Sequence, residues 1–289
     1  MNRLSRDKQK QIIAALVEGN SIRATCRMTG AAKGTVLKLL KDVGEACSEY
    51  QDKAFRNLSS TRIECDEIWS FCYAKKKNVP EEKKGKFGYG DIWTWTAICA
   101  DTKLVPSWHI GRRDVKTAKR FMGDLASRLK NRIQLTTDGY KAYLEAVDYA
   151  FGTDVDYSQL IKVYGTVQEN QTRYSPAKCM GTEKKPINGK PDSKKISTSY
   201  VERQNLTMRM SMRRFTRLTN GFSKKVENLA HAVALHFMYY NFCRIHKTLR
   251  VTPAMEAGVT NKLWEIEDIL ALLDSKGGGL TNNLSRSLC

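Results

Sequence analysis

The sequence predicts an α/β protein: a mixed sheet with flanking helices, preceded by a small all-α unit. Three observations carry this. The first 46 residues hold their apolar side chains at helical spacing, from Thr61 the period becomes that of strands, and helical stretches then interleave with further strands.

Ser5 is a good N-cap for a helix over residues 5–18, with Ile12, Ile13, Leu16 and Val17 at helical spacing and Gly19-Asn20 to end it. A second segment covers 21–28, a Thr29-Gly30 turn follows, and a third helix over about 33–43 turns Val36, Leu37, Leu39 and Leu40 inward. Three short helices with a glycine turn before the last make a helix-turn-helix, expected over residues 1–46. In that motif the third helix enters the major groove of DNA, which would present Lys33, Thr35, Lys38 and Lys41. A generic three-helix cap is the plain alternative. Residues 47–60 read as a polar linker with some helical character.

Strands are expected over 63–73, 92–100 and 104–111, the last two joined as a hairpin by Asp101-Thr102-Lys103. Asp114 caps a helix to about 130 with Phe121, Leu125 and Leu129 on its buried face; a fourth strand (133–137), a short helix (140–149) and a fifth strand (159–163) follow. Residues 165–197 have almost no apolar period and read as a basic insertion or a mobile loop. A long helix then runs from Thr198 to Asn220-Gly221, and an aromatic-rich one covers 223–241. This order of strands and helices matches the ribonuclease-H-like plan over residues 61–258, with 259–289 left as a tail. Fold class alone decides no function.

Charge narrows the partner. A net charge of +19, from 49 Lys and Arg against 30 Asp and Glu, exceeds what solubility requires and points to phosphate backbones. A membrane is disfavoured, because no run of about 18 apolar residues exists and the basic stretches lack a clean apolar helix face. The opening MNRLSRDKQKQ lacks the apolar core of a secretory signal, so a cytoplasmic, nucleoid-associated location is expected. The eight cysteines include no C-x-x-C pair, so neither a zinc module nor a disulfide framework is read, and most are expected as small buried residues.

Against this basic background three acids stand out. Asp66 heads a hydrophobic strand, Asp138 ends the fourth strand in Thr-Thr-Asp-Gly, and Glu202 is the only acid between Asp192 and Glu227. A polyanion-binding surface has little reason to keep a carboxylate unless it holds something cationic. Phosphodiester chemistry uses two Mg²⁺ about 4 Å apart, which prefer carboxylate oxygens and keep several waters. If the first and fourth strands lie side by side, Asp66 and Asp138 meet, and Glu202 arrives from a helix across that edge.

Each acid also has a structural explanation. Asp138 precedes a glycine and could be a turn residue. Glu202 stands three residues after Ser199, the spacing of a capping box. Asp66 has Glu64 on its own strand face and Glu67 on the other. Arg209, seven residues after Glu202, and Arg213 one turn further fall on its helical stripe, where they could hold phosphates together with Arg203, Arg214 and Arg217. Trp69, Trp93, Trp95 and Trp108 are expected mostly in the core, and His246 as a hydrogen-bonded structural residue. Gly277-Gly278-Gly279 lacks the context of a phosphate loop.

The segments CDEIWSF around Asp66, TTDGYKAY around Asp138, SYVERQNLTMRMSMRRFTRLTNGFSKK around Glu202 and the closing NFCRIHKTLRVTPAMEAG resemble the DDE transposases of bacterial insertion sequences, of the InsAB type. The resemblance spans about residues 61–258. It implies Asp66, Asp138 and Glu202 as the metal-binding acidic triad, Arg209 as an accompanying basic residue, two Mg²⁺ (or Mn²⁺), and double-stranded DNA, both element ends and target, as partner. It also implies terminal-repeat binding, water attack freeing a 3′-hydroxyl, attack of that hydroxyl on target DNA, and a homo-oligomer across paired ends. Members commonly carry a cysteine zinc finger ahead of the helix-turn-helix, which this chain lacks. The competing expectations are a DNA-binding regulator or inactive relative, and a ribonuclease-H-like nuclease that cuts without strand transfer.

Overall fold

Short polar caps set the helical start of the chain. In the computed structural model, which describes residues 4–165, 179–216 and 219–275, the Ser5 hydroxyl accepts from the Lys8 amide to open α1 (Arg6–Val17). Ser21 does the same for α2 (Ile22–Thr29), which ends on Gly30 in the left-handed region at φ 70°. Ile12, Ile13, Val36, Leu40 and Val43 are buried between these helices and α3.

The third helix departs from expectation. α3 runs over Lys33–Ala54, so the expected linker at 47–60 begins as helix. Its second half is core: Cys47, Gln51 and Phe55 are buried, and Gln51 donates to the Ala234 carbonyl of α7 (Val226–Met238). Closest approach falls at Gly44, where an added Cβ would lie 2.6 Å from His231 of α7. Glycine is required there by the space between the two helices.

The sheet has six strands in the order β3-β2-β1-β4-β5-β6. β1 (Arg62–Cys72) lies near its centre, antiparallel to β2 (Gly90–Cys99) and parallel to β4 (Ile133–Asp138). β3 (Ser107–Gly111) closes one side, and β5 (Val155–Tyr164) pairs parallel with β4. Helices α4 (Val115–Arg128), capped by Asp114, and α5 (Ala142–Phe151) pack together, with α4 also against β2 and β3. α6 (Ser199–Ser211) packs against β1 and β2. Trp95 is wholly buried and Trp108 nearly so, while Trp69 and Trp93 are only half-buried.

Three further expectations change. The basic insertion at 165–197 contains β6 (Cys179–Asn188), an exposed edge strand antiparallel to β5; residues 166–178 lie outside the described residues. The long helix from Thr198 stops at Ser211, and Met212 is extended. The chain turns there to bury Phe215. The tail is folded as far as it is described: α8 (Pro253–Glu256) precedes Trp264, which packs on Tyr50 and Phe242, and α9 (Ile266–Ala271) ion-pairs with α1 through Lys10 and Glu267. Gly277, Gly278 and Gly279 lie outside the described residues. Among the described residues no helix is long and apolar enough to cross a membrane. Cys47, Cys65, Cys72 and Cys99 are buried as expected and not joined in disulfides; Cys179 is exposed.

Candidate metal centre

Register brings the first two acids together. The parallel ladder of β1 and β4 ends at Cys65↔Thr137, so Asp66 and Asp138 are the next residues on adjacent strands, where the two chains part. Strand alternation sends Glu64 and Asp66 toward α6: Glu64 accepts from the amides of Tyr200 and Val201 at 2.7 and 3.1 Å, and Asp66 Oδ2 from Asn205 Nδ2 at 2.8 Å. Glu67 points the other way, to Arg113 Nε at 2.6 Å and Tyr143 Oη at 2.9 Å.

Although Glu67 starts on the opposite face, its carboxylate reaches the strand ends. Ligand oxygens of Asp66, Glu67 and Asp138 lie within 4.8 Å of one another, a group that could hold a metal ion. The expected third member, Glu202, stands outside it. Glu202 accepts from Lys162 Nζ and from the Thr198 hydroxyl, and so is held by β5 and by its own helix start. The capping box with Ser199 does not form: Ser199 is already helical, and Glu64 caps the helix instead from β1.

Electrostatics is that of a crowded acidic group that could hold a cation. Burial, then the nearby Glu67 and Asp138 charges, push Asp66 up to about 7. Glu67 is raised by burial and by Asp138, despite its bonds to Arg113 and Tyr143. Asp138 is raised chiefly by burial, with Glu202 adding to it, so Glu202 lies within electrostatic reach. Crowded, partly desolvated carboxylates repel one another, and a divalent cation relieves that repulsion. Hard oxygen donors of this kind suit a hard divalent cation.

Two cations already border the acids. Arg113 lies 4.1 Å from the Tyr140 ring centre and 5.0 Å from that of Trp93, and reaches Asp138 Oδ2 at 3.8 Å. Lys162 is the second, through Glu202. Sequence reading missed Arg113, Lys162, Glu67 and Asn205. Alternation excluded Glu67, and nothing local in the sequence pairs residues 113 or 162 with these acids.

The basic residues divide. Lys33, Lys38 and Lys41 are exposed along the first half of α3, with Thr35 half-buried beside them. Arg203 is exposed on α6, and Arg209 is half-buried in its last turn. Because α6 ends at Ser211, Arg213 leaves the stripe of Glu202, though it remains exposed. Arg214 is a correction to the expected open DNA face: it turns inward to donate to Ser223 Oγ at 2.6 Å, and desolvation draws it down to about 10. Arg217 lies outside the described residues. His246 bonds Thr248 at 3.0 Å, a local structural contact. No protein-family model matches the chain, and a search of curated proteins finds no match.

Proposed function

We propose that this chain is a metal-dependent DNA transposase, similar to the DDE enzymes of the InsAB type, that binds element ends, cuts DNA and joins it to a target. The observation that carries the reading is the acidic cluster at the parting ends of β1 and β4 in a chain of charge +19. The strand order β3-β2-β1-β4-β5 supports a ribonuclease-H-like domain, and the exposed lysines of α3 support DNA recognition by the helical unit.

Asp66 and Asp138 would hold Mg²⁺ or Mn²⁺, with Glu67 on one side and Glu202 on the other; two ions fit four carboxylates. When bound, the metal offsets charge developing on the attacking and leaving oxygens of the phosphodiester. The protein's own groups orient that chemistry. Asn205 fixes one Asp66 oxygen, Arg113 and Tyr143 fix Glu67, and the Tyr140 amide fixes Asp138 at 3.0 Å. Water attack on phosphorus breaks the bond to the 3′-oxygen and leaves a 3′-hydroxyl and a 5′-phosphate; the 3′-hydroxyl then attacks a target phosphorus and expels a second 3′-oxygen. A homo-oligomer holding two ends, acting on the nucleoid, completes the proposal.

The test is strand transfer of labelled DNA carrying the element's terminal repeats, with Mg²⁺ or EDTA, comparing wild type with Asp138→Ala and Glu202→Ala. Joined product that needs metal and is lost in both variants supports the proposal. Sound DNA binding without cutting or joining, under Mg²⁺ or Mn²⁺, makes the chain a binding protein, and cutting without joining makes it a nuclease.

A further inference from the structure

A cleft of about 630 Å³ lies between the helical unit and the far end of α6. Its floor is apolar, with Leu37, Leu40 and Met212, and its walls carry Arg23, Lys33, Arg213, Arg214, Lys224 and Lys225 with no acid among the lining residues. None of these six forms an ion pair with a carboxylate among the described residues, in a protein where Arg113, Arg128 and Arg132 all do. A concentration of unpaired like charge raises the energy of the folded chain and is maintained at a cost unless an anion relieves it.

Two more observations point inward to a ligand. His236 lines the cleft, is 5% exposed, and its Nε2 has no hydrogen-bond partner. A buried ring nitrogen left unpaired is a cost that a ligand atom can remove. Phe222 stands half-buried at the wall, one contact taken by Phe71 at 4.6 Å between centroids and another by Lys224 Nζ at 4.6 Å. Aromatic and cationic groups side by side are what a nucleobase and its phosphate use together.

The walls are fixed in place. Gly19, at φ 82°, carries the end of α1 to within 3.3 Å of Met210 and Ser211, counted from an added Cβ. Gly221 lies as closely on Arg213, where a Cβ would meet the carbonyl oxygen at 2.6 Å. The cleft is thus held open by backbone contacts on both sides.

We infer that this cleft binds a short unpaired segment of a DNA strand, its phosphates on Arg23, Lys33, Arg213, Lys224 and Lys225 and a base against Phe222. Its volume falls in the roughly 300–1,000 Å³ range of sites that enclose one small organic ligand, so it takes a nucleotide or two and not a duplex. Position gives the segment a role, which rests on the function proposed above. From Asn205, which bonds Asp66 of the cluster, to Met212 along α6 is about 10 Å at 1.5 Å per residue. At 3.4 Å per nucleotide that is about three nucleotides from the acidic cluster. The cleft would hold one frayed strand of the DNA end while the cluster acts on the phosphodiester.

The experiment is fluorescence anisotropy of a labelled short thymidine oligonucleotide with the full chain in EDTA, competed by blunt duplex of the same length and by inorganic pyrophosphate. The single strand is expected to bind with a log–log salt slope of about −2, as for three phosphate contacts. The double variant Lys224→Glu/Lys225→Glu should weaken it about tenfold or more, and the charge-matched control Lys130→Glu, at an exposed site elsewhere, by less than about twofold. Melting temperatures equal to wild type establish that the variants fold. Pyrophosphate competing as well as the strand, duplex binding lost in step with strand binding, or equal affinity in all three proteins overturns the inference. If strand transfer fails while strand binding follows the lysines, the proposed function falls and the cleft stands; the reverse pattern removes the cleft alone.

Discussion

Replacing Asp66 by Asn tests the metal centre through a change of sign. Asp66 is half-buried among like charges, and its pKa rises from 3.8 to about 7. A folded-state value above the unfolded one means that the folded protein binds the extra proton between those two values. Stability of the metal-free protein therefore falls as pH rises from about 4 to about 7 and is level above that. Three pH units correspond to about 4 kcal/mol, and partial exposure reduces this to roughly half. Asn removes the charge but offers one oxygen where Asp66 accepts from both Glu67 N and Asn205 Nδ2, at a loss of about 1 kcal/mol. The net is a gain of about 1 kcal/mol at pH 8 without metal, or about 2–4 °C in melting temperature.

With Mg²⁺ the order reverses: wild type is raised by ligand binding and the variant is not. The assay is thermal unfolding at pH 5 and pH 8, in EDTA and in a Mg²⁺ titration. An Asp66→Asn protein that melts below wild type in EDTA at pH 8, or that gains as much from Mg²⁺ as wild type does, would refute the reasoning.

Two other perturbations follow from packing and burial. Gly44→Ala places a Cβ 2.6 Å from His231, so the α3–α7 contact must open, at about 1–3 kcal/mol in chemical denaturation. His236, pulled down to about 3 by burial, is neutral in the fold and protonated below about 6.5 when unfolded. Its contribution is thus lost as pH falls, and His236→Phe should retain, relative to wild type, about 1.4 kcal/mol more stability for each pH unit below 6.5, read by denaturation at pH 6.5 and 5.

Legibility in the sequence followed burial. In β1, α1 and α4 buried apolar residues recur at the period of the element, and the spacing of Ile63 and Cys65, of Ile12, or of Phe121 reports it directly. β6 could not be read that way, because as an edge strand its side chains are exposed and its Lys- and Pro-containing sequence has no apolar period. The extension of α3 was readable in principle: Val43, Cys47, Tyr50 and Ala54 keep helical spacing, hidden by the polar residues between them. At the site, Asp66 and Asp138 could be paired from strand order alone. Glu67 could not, since alternation assigns it to the opposite face and only the parting of β1 from β4 lets its carboxylate come round. Lys162 and Glu202 meet across 40 positions of sequence, a distance at which no local pattern speaks.

The length of α3 gives the protein a ruler. Its 22 residues make a rod of about 33 Å, near the span of ten base pairs. Its first half carries the exposed lysine face, and its second half, from Gly44 at the middle to Gln51, is keyed into α7. Without a joint between them, the phase of the reading end relative to the cluster is set by residue count, each inserted residue rotating one against the other by about 100°. If the chain cuts DNA as proposed, the cut would fall at a set offset from what α3 grips, gauged by a helix and not by a tether.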